Sequence, residues 1–480
     1  MSTHHRYLGQ AFNWLGSATI IAKIIDFSTI LIMLLYLTKQ QVGIASIVVS
    51  IGMVVEAFNG LGTGEALIQA KAVSQLQLDT LFWYIIGVAL LVGGLIIVAA
   101  PWIGALYGFA GMAAYFAAVA AKQVLVGVAV IPLAMMSRDL QYRRIAIINV
   151  CTTLAAAFTR LGLGASGAGT WALVAGYSAS GLYTLIGALW AQPFRPHLRF
   201  QFSAIRPLVR FGYRSAASNI SEQMFKNIDY MLIAWFYGAS QLATYRVAFD
   251  IAMEPAMAVG TIVNRTVLPV IARVASVQRH LAETLLWGLS RIASLVLPLT
   301  AGLLFAAYPL TSLLHDQQGN SYVASALPLR ILAVAALLRV TLQLFATVMI
   351  GSGRPGLAAR LSATTLILLG AGILAAGFTC SAAVGIVAVS AIWLAIYPIL
   401  LGWSVRYLRR NWHVPARELL RCFKVPLAGV AVMIPVLGAG HLLLGNAASG
   451  LLLAMDIIVT AAVYAGLFWN QRRRPEAAAP

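Results

Sequence analysis

The sequence predicts an all-α protein that crosses a membrane many times. Of its 480 residues, 61% are hydrophobic and only 10% are charged, whereas soluble domains carry roughly 25% charged residues. The apolar stretches are continuous and long enough for helices of about 20 residues, and they lack the alternation that is typical of outer-membrane barrels. The segments between them alternate regularly in charge. These observations together predict about 14 transmembrane helices.

The predicted spans follow one another along the chain with short connections. We place them at 12–37, 41–60, 81–107, 111–136, 145–164, 170–191, 211–237, 240–264, 284–308, 323–349, 356–378, 382–405, 426–444 and 449–469. Several exceed the roughly 20 residues that the hydrocarbon core requires, which indicates tilted helices or helices that extend into water.

Basic residues are concentrated in alternate connections. With the N-terminus inside, most of the 33 Lys and Arg residues lie in inner loops and tails, and the outer loops contain only Lys39. The positive-inside rule therefore predicts that both termini lie in the cytoplasm, and the helical spans without barrel alternation predict an inner (cytoplasmic) bacterial membrane. This topology accounts for most of the net charge of +19. The basic C-terminal tail is interpreted as a stop signal, with contact to anionic lipid as the alternative, and membrane lipid but no nucleic acid is expected as a partner of the chain.

An internal repeat relates the two halves of the chain. The first span contains Lys23 and Asp26, and the seventh contains Lys226 and Asp229, so that the two pairs lie 203 residues apart. Each half has six spans, an even number, which makes the repeat parallel. We predict an N-terminal six-helix lobe at 1–200, a second at 201–412, and two additional transmembrane helices with a basic tail at 413–480.

Charged residues inside the spans indicate where a site lies. A charge at the bilayer centre costs from about 2.5 to more than 10 kcal/mol, so it needs a partner, water or a ligand. Helical spacing predicts two polar stripes, formed by Asn219, Glu222, Lys226 and Asp229 and by Arg246, Asp250 and Glu254. Lys23 and Glu56 match in depth on the first two spans, and Arg160 lies near a span end, where its side chain can reach the interface.

Two interpretations of these charges are open, internal salt bridges and contacts to a ligand. Because bases outnumber acids within the spans, Lys122, Arg265, Arg291 and Arg339 are expected to lack acidic partners and to face an anion such as a phosphate or pyrophosphate. The predicted cationic cavity comprises Lys23, Lys122, Lys226, Arg246, Arg265, Arg291 and Arg339. Predicted ion-coupling or salt-bridge residues are Asp26, Glu56, Glu222, Asp229, Asp250 and Glu254. We expect no catalytic residue, metal site or cofactor, and Na⁺ or H⁺ as the coupling ion.

Several motifs resemble one family of transporters. They are "GLGTGEALIQ" (60–69), "SRDLQYRRIAIIN" (137–149), "FRPHLRFQFSAIRPLVRFG" (194–212) and "NIDYMLIAWFYGASQLATYRVAFDIAMEPAMAV" (227–259). In this order they are similar to Wzx-type polysaccharide repeat-unit flippases, of the colanic-acid and exopolysaccharide branch, in the multidrug/oligosaccharidyl-lipid/polysaccharide (MOP) superfamily. The resemblance covers roughly residues 10–410.

The resemblance implies a V-shaped transporter of two lobes, not an enzyme. Its cargo would be undecaprenyl-pyrophosphate-linked oligosaccharide, moved by alternating access from the cytoplasmic to the periplasmic leaflet for exopolysaccharide, capsule or O-antigen synthesis, with polymerase and co-polymerase as partners. Related lipid II flippases carry a basic–acidic pair in the first helix, to which Lys23 and Asp26 are the nearest counterpart. In those relatives the last two helices form a groove for the lipid tail, the role that the resemblance implies for 426–444 and 449–469.

Two other functions fit a helical membrane protein. A multidrug antiporter of the same superfamily is one, although a cavity for organic cations would have the opposite sign of charge. A membrane polysaccharide polymerase or O-antigen ligase is the other, but such enzymes usually need a sizeable external loop or domain, and the outer loops here are short.

Overall fold

The structure, a computed structural model, describes residues 3–70, 72–274, 278–412, 414–445 and 449–473. Its helices are α1 Thr3–Met33, α2 Lys39–Glu56, α3 Thr63–Gln69, α4 Gln75–Tyr107, α5 Met112–Arg138, α6 Tyr142–Ala165, α7 Thr170–Ala191, α8 Phe202–Tyr237, α9 Ala239–Val274, α10 Gln278–Leu313, α11 Ala326–Gly351, α12 Pro355–Thr379, α13 Ala382–Trp412, α14 Ala416–Leu444 and α15 Ser449–Arg473. The predicted all-α class is confirmed.

Most of these helices are built to cross a membrane. Within the described chain, thirteen helical segments are long and apolar enough to do so, the segment Lys39–Gln69 counting as one. The exception among the predicted spans is the seventh, 211–237, which falls in α8. This helix has 36 residues, but charged side chains such as Glu222, Lys226 and Asp229 interrupt its apolar character. Helices suit lipid because each satisfies its backbone hydrogen bonds internally.

Two helices begin at capping boxes that the sequence encodes. At the start of α2, the Gln41 amide donates to the Thr38 hydroxyl at 3.2 Å, and the Thr38 amide donates to Oε1 of Gln41 at 3.0 Å. Ser74 and Gln77 repeat the arrangement at the start of α4. Each box satisfies two backbone donors that a helix N-terminus leaves free, which fixes where the helix begins.

The chain packs as two compact units, unit 1 at 1–243 and unit 2 at 244–480. In unit 1, α5 packs on α4 and α7, α6 packs on α1 and α7, and α8 lies against α2, α3 and α4. In unit 2, α10 contacts α11, α14 and α15, and α13 contacts α11 and α12. These units describe packing; the repeat boundaries near residues 200 and 412 concern internal similarity and stay a prediction.

A break after α2 falls at the end of the second predicted span, 41–60. Gly60, Leu61 and Gly62 all have positive φ angles, of 66°, 44° and 72°. The 3₁₀ segment Asn59–Gly62 that they form ends α2, and α3 follows it. Gly62 lies against the backbone of Gly212 in α8, where a Cβ atom would overlap the carbonyl oxygen. The break therefore brings two backbones together that side chains would keep apart.

A buried carboxylate anchors the segment that leads into α8. Asp79, near the start of α4, is fully buried. Its Oδ1 accepts the backbone amide of His197 at 3.2 Å and the side-chain amide of Gln75 at 2.8 Å, and its Oδ2 lies 3.2 Å from Nδ1 of His197. One turn further along α4, the Trp83 indole donates to the carbonyl of His197 at 2.9 Å. These contacts hold residues 192–201 against α4.

We expect Asp79→Ala to loosen this segment. Losing a buried acceptor leaves the His197 amide unpaired, at a cost of roughly 1–3 kcal/mol. Limited trypsin digestion of the purified protein should then cut after Arg199 about tenfold faster. Arg195 precedes a proline and does not offer a competing site. Asp139→Ala is the matched control, because the exposed side chain of Asp139 makes no hydrogen bond among the described residues; equal cleavage of both variants would contradict the anchoring role.

The core of unit 2 is partly built by its last two helices. Val430, Met433 and Leu437 of α14 pack with Ala301 of α10 in one buried cluster, and Met455 of α15 lies against it. The Tyr464 hydroxyl donates to the carbonyl of Leu295. Within the described part of the chain, α14 and α15 are thus packed onto α10 of unit 2.

Candidate functional site

Three helices of unit 1 converge on one carboxylate inside the membrane-spanning region. Nζ of Lys122 in α5 donates to Oε2 of Glu56 at 2.7 Å, and the Tyr177 hydroxyl of α7 donates to the same oxygen at 2.8 Å. Glu56 is the last residue of α2. The Lys122 ammonium also lies 3.4 Å from the centroid of the Tyr177 ring. Lys122 is only 6% exposed, so this is a buried cation held by one acid and one aromatic ring.

Glycines make room for these polar side chains. A Cβ at Gly181 would lie 2.8 Å from Cγ of Lys122, and one at Gly52 would lie 3.0 Å from Cε1 of Tyr177. One and a half turns before Gly181, Gly176 lies against the side chain of Arg160 in the same way. Small residues let helices in lipid approach closely, and here the space is taken up by the stems of two basic side chains.

A second ion pair of unit 1 joins α6 to α1. Nη1 of Arg160 donates to Oδ1 of Asp26. The Arg160 side chain is 15% exposed and that of Asp26 is 42% exposed. Asp26, predicted as an ion-coupling or salt-bridge residue, is therefore bound to an arginine. Arg160 points to this acid of a neighbouring helix instead of reaching for the interface, as its position near a span end predicted.

The structure corrects two interpretations made from the sequence. Lys122 was expected to lack an acidic partner, and this is wrong because Glu56 neutralises it at 2.7 Å. Glu56 was matched in depth with Lys23, but in the structure its carboxylate accepts from Lys122 and Tyr177. Two residues at the same depth on consecutive helices need not contact each other, because the rotation of each helix decides which side chains meet.

Next to this network, two side-chain amide groups are incompletely paired. Nδ2 of Asn59 donates to the carbonyl of Gln123 at 3.0 Å. Oδ1 of Asn59 and Nε2 of Gln123 are buried and have no partner among the described residues. Gln123 directly follows Lys122, and Asn59 comes three residues after Glu56. A buried acceptor and a buried donor without partners among the described residues therefore lie in the same part of unit 1 as the ion pair.

In each of the two predicted polar stripes, two of the residues form a salt bridge with each other. In α8, Nζ of Lys226 donates to Glu222 at 2.6 Å and both side chains are about half exposed, whereas Asp229 is buried. In α9, Nε of Arg246 donates to Asp250 at 3.3 Å, and both are largely buried. These are bonds between residues four apart on one helix. Each stripe thus contains an internal salt bridge, one of the two interpretations that the sequence left open.

Of the remaining predicted cations of unit 2, two lie beside aromatic rings and one has no partner among the described residues. The Arg339 guanidinium lies 5.0 Å from the Trp393 ring centroid and 6.0 Å from that of Phe249. Arg291 lies 5.5 Å from the ring of Trp287, four residues earlier in α10. Arg265 in α9 is exposed and makes no hydrogen bond or ion pair among the described residues. Lys23 of α1 is exposed, and Glu254 of α9 is partly buried.

Three partner side chains, Tyr177, Trp393 and His441, were missed from the sequence. Tyr177 binds Glu56, and Trp393 contacts Arg339 while its indole donates to the Tyr245 hydroxyl at 2.9 Å. His441 of α14 lies 3.1 Å from Asp456 of α15. The sequence signal for Tyr177 was a phenol among small residues in "LVAGYSASG", which is unusual for a lipid-facing position. No group of three or more His, Cys, Asp or Glu in the described part of the chain could hold a metal ion.

The sequence and fold have counterparts among known proteins. A family model described as "Polysaccharide biosynthesis protein" matches residues 32–324, more than half of the chain. The chain belongs to this family. It is 24% identical over 341 residues to the lipopolysaccharide biosynthesis protein WzxC of Escherichia coli strain K12, a match that covers 68% of this chain and 66% of WzxC. The chain thus spans just under two thirds of that curated relative's length.

Solved structures confirm the predicted fold. The lipid II flippase MurJ in an inward closed conformation superposes with a TM-score of 0.71 at 12% identity, covering 96% of this chain and 99% of MurJ. An inward-facing multidrug resistance MATE family transporter of the MOP superfamily gives 0.60 at 14% identity, covering 82% and 95%. At these identities the likeness concerns the fold alone. The resemblance to a polysaccharide biosynthesis family is confirmed by the family match, and the predicted fold is confirmed by these structures.

Proposed function

We propose that this protein is a flippase that moves undecaprenyl-pyrophosphate-linked oligosaccharide repeat units from the cytoplasmic to the periplasmic leaflet of the inner membrane. Both chain termini would lie in the cytoplasm, and a polymerase with its co-polymerase would receive the cargo. The family match and the name of WzxC support polysaccharide biosynthesis, and the MurJ-like fold supports a flippase.

The observation that carries the proposal is the shared oxygen of Glu56. Lys122 and Tyr177 both donate to Oε2, so a single event at this carboxylate releases two hydrogen-bond donors. Protonation of Glu56, or approach of a diphosphate that competes for the ammonium, is such an event. A lysine binds phosphate as a point charge, and in a low-dielectric setting the exchange of one anion for another is less costly than leaving Lys122 alone.

Alternating access follows from this exchange. In the resting state Glu56 and Asp26 neutralise Lys122 and Arg160, which keeps unit 1 stable without cargo. When the diphosphate neutralises part of this positive charge, the carboxylates become available to H⁺ or Na⁺. Binding of the ion then favours one arrangement of the helices over the other. The polyprenyl tail stays in lipid throughout, and no covalent bond is made or broken.

Two assays test the function. Deleting the gene should cause one lipid-linked oligosaccharide to accumulate in the inner leaflet. In proteoliposomes that contain this lipid, the purified protein should expose its sugars to a membrane-impermeant glycosidase, and Lys122→Gln should slow the exposure at least about tenfold. Normal lipid in the deletion strain, together with efflux of organic cations by the purified protein, would instead support a multidrug antiporter. Formation of glycosidic bonds would support a polymerase or ligase.

A further inference from the structure

One face at the start of α14 has three cations. Arg417, Arg421 and Lys424 are spaced by four and three residues, which places them side by side on a helix. All three are exposed, and none makes a hydrogen bond or ion pair with any described residue. With Leu420, Phe423 and Leu427 they line an open groove of about 600 Å³. The positive-inside rule requires charge in a loop, but it does not require three charges on one helical face around a groove.

The same face becomes apolar further along the helix. Leu420 is 71% exposed and Leu427 is 50% exposed, and Ile434 is exposed as well. On the opposite side, Val430 and Met433 are buried against α10. Because Arg417–Leu444 is long and apolar enough to span a membrane, the exposed side faces lipid. Cations at one end and leucine and isoleucine along the rest match a phosphate headgroup followed by an acyl chain.

The residues lining the groove also determine the class of lipid. They comprise three cations and three apolar residues, and no Asn, Gln, Ser or Thr is among them. A saccharide headgroup needs many hydrogen bonds from neutral polar groups, which this lining does not provide. A phosphate needs only charge-assisted donors, in which the two guanidinium groups and the ammonium are rich.

We propose that this groove binds the phosphate headgroup of an anionic phospholipid, with an acyl chain along Leu427 and the exposed Ile434, which lies two turns further on the same side of the helix. The site is distinct from the Lys122–Glu56 network of unit 1 and does not depend on the identity of any transported cargo. Its effect is to hold a lipid of defined charge against α14, at the end of the helix where the basic residues lie.

Native mass spectrometry of the full chain tests the site. Protein purified in a non-ionic detergent is titrated with phosphatidylglycerol or with phosphatidylcholine of the same acyl chains, and bound lipid is counted. Each basic residue near an anionic lipid contributes roughly a fivefold effect. The wild type should therefore bind phosphatidylglycerol at least about tenfold more tightly than phosphatidylcholine, and R417Q/R421Q/K424Q should lose most of that preference.

A matched variant shows whether the preference for phosphatidylglycerol depends on this groove or on exposed positive charge anywhere on the chain. R199Q/R206Q/R210Q also removes three exposed cations without partners among the described residues, and it should keep the preference within about twofold. All three proteins should unfold at the same temperature in phosphatidylcholine micelles, since the altered side chains are exposed. An equal loss in both variants, or no loss in the α14 variant, would overturn the proposal. Displacement of phosphatidylglycerol by equimolar inorganic phosphate or polyprenyl diphosphate would overturn it as well, by assigning the groove to another ligand.

Discussion

Gly62→Ala should lower the free energy of unfolding by about 3 kcal/mol or more. Gly62 has φ +72°, a conformation that costs an L-residue with a side chain roughly 1–2 kcal/mol. Its Cβ would also overlap the carbonyl oxygen of Gly212 and approach the amide nitrogen of Ala216 at 3.0 Å. Both are backbone atoms of α8, so no side chain can rotate away, and forcing extra volume into such a contact adds roughly 1–3 kcal/mol.

Unfolding by SDS titration in mixed micelles measures this change. Gly212→Ala should cause a comparable loss, because its Cβ would lie 2.8 Å from the carbonyl oxygen of Leu61 and 2.9 Å from that of Gly62. Gly87→Ala in α4 is the control, since nothing lies within 4 Å of a Cβ there, and it should leave stability equal or slightly higher. A wild-type transition for Gly62→Ala would mean that the segment Asn59–Gly62 and α8 do not approach each other closely.

The helices of this protein could be predicted because lipid restricts the chain to few structures. Continuous apolar runs specify helices regardless of their neighbours, so the spans predicted at 81–107 and 170–191 fall within α4 and α7. The helix ends outside hydrocarbon were predicted less well. Helix α8 begins at Phe202, nine residues before its predicted span, because "FSAIRPLVR" is a basic helical segment that apolarity does not detect.

The break at residues 59–62 escaped prediction for a different reason. The stretch "EAFNGLGTGEALIQ" contains no proline, and the glycines alone do not say whether the chain turns. The left-handed conformation is stabilised by a tertiary contact, the approach of Gly212 from 150 residues further along. A contact of this kind cannot be found from local propensity, although the resemblance of this stretch to a family motif marked it as unusual.

The charged residues of the site could be located from the sequence, but their pairing could not. A lysine in the middle of an apolar run must have a partner, and this reasoning identified Lys122, Glu56 and Asp26. Their partners depend on which helices are neighbours and how each is rotated. Helix α5 packs on α7 as well as on α4, which brings Lys122 to Tyr177 and to Glu56 of α2. The order of the helices along the chain had suggested Lys23 of α1 as the partner of Glu56.

Lys122→Met should destabilise unit 1 by about 3–5 kcal/mol, the loss typical of removing one partner from a buried ion pair. Glu56 would keep the Tyr177 hydroxyl as a donor, and its negative charge would have no cation at 2.7 Å. SDS unfolding in mixed micelles measures the loss. Tyr177→Phe is the milder comparison, because it removes one hydrogen bond but keeps the ring beneath Lys122, and it should cost roughly 1–3 kcal/mol.

The double variant Lys122→Met/Glu56→Gln shows whether the loss comes from the unpaired charge. With the carboxylate replaced by an amide, no buried charge is left, and stability should recover to within about 2 kcal/mol of the wild type. The recovered protein should nevertheless fail to flip its lipid, because the donor that a diphosphate would take from Glu56 is gone. Stability without transport separates the two roles of Lys122. Full transport by the stable double variant would restrict this residue to holding α5 against α2, and the binding of the cargo would then have to be assigned to other cations of the chain.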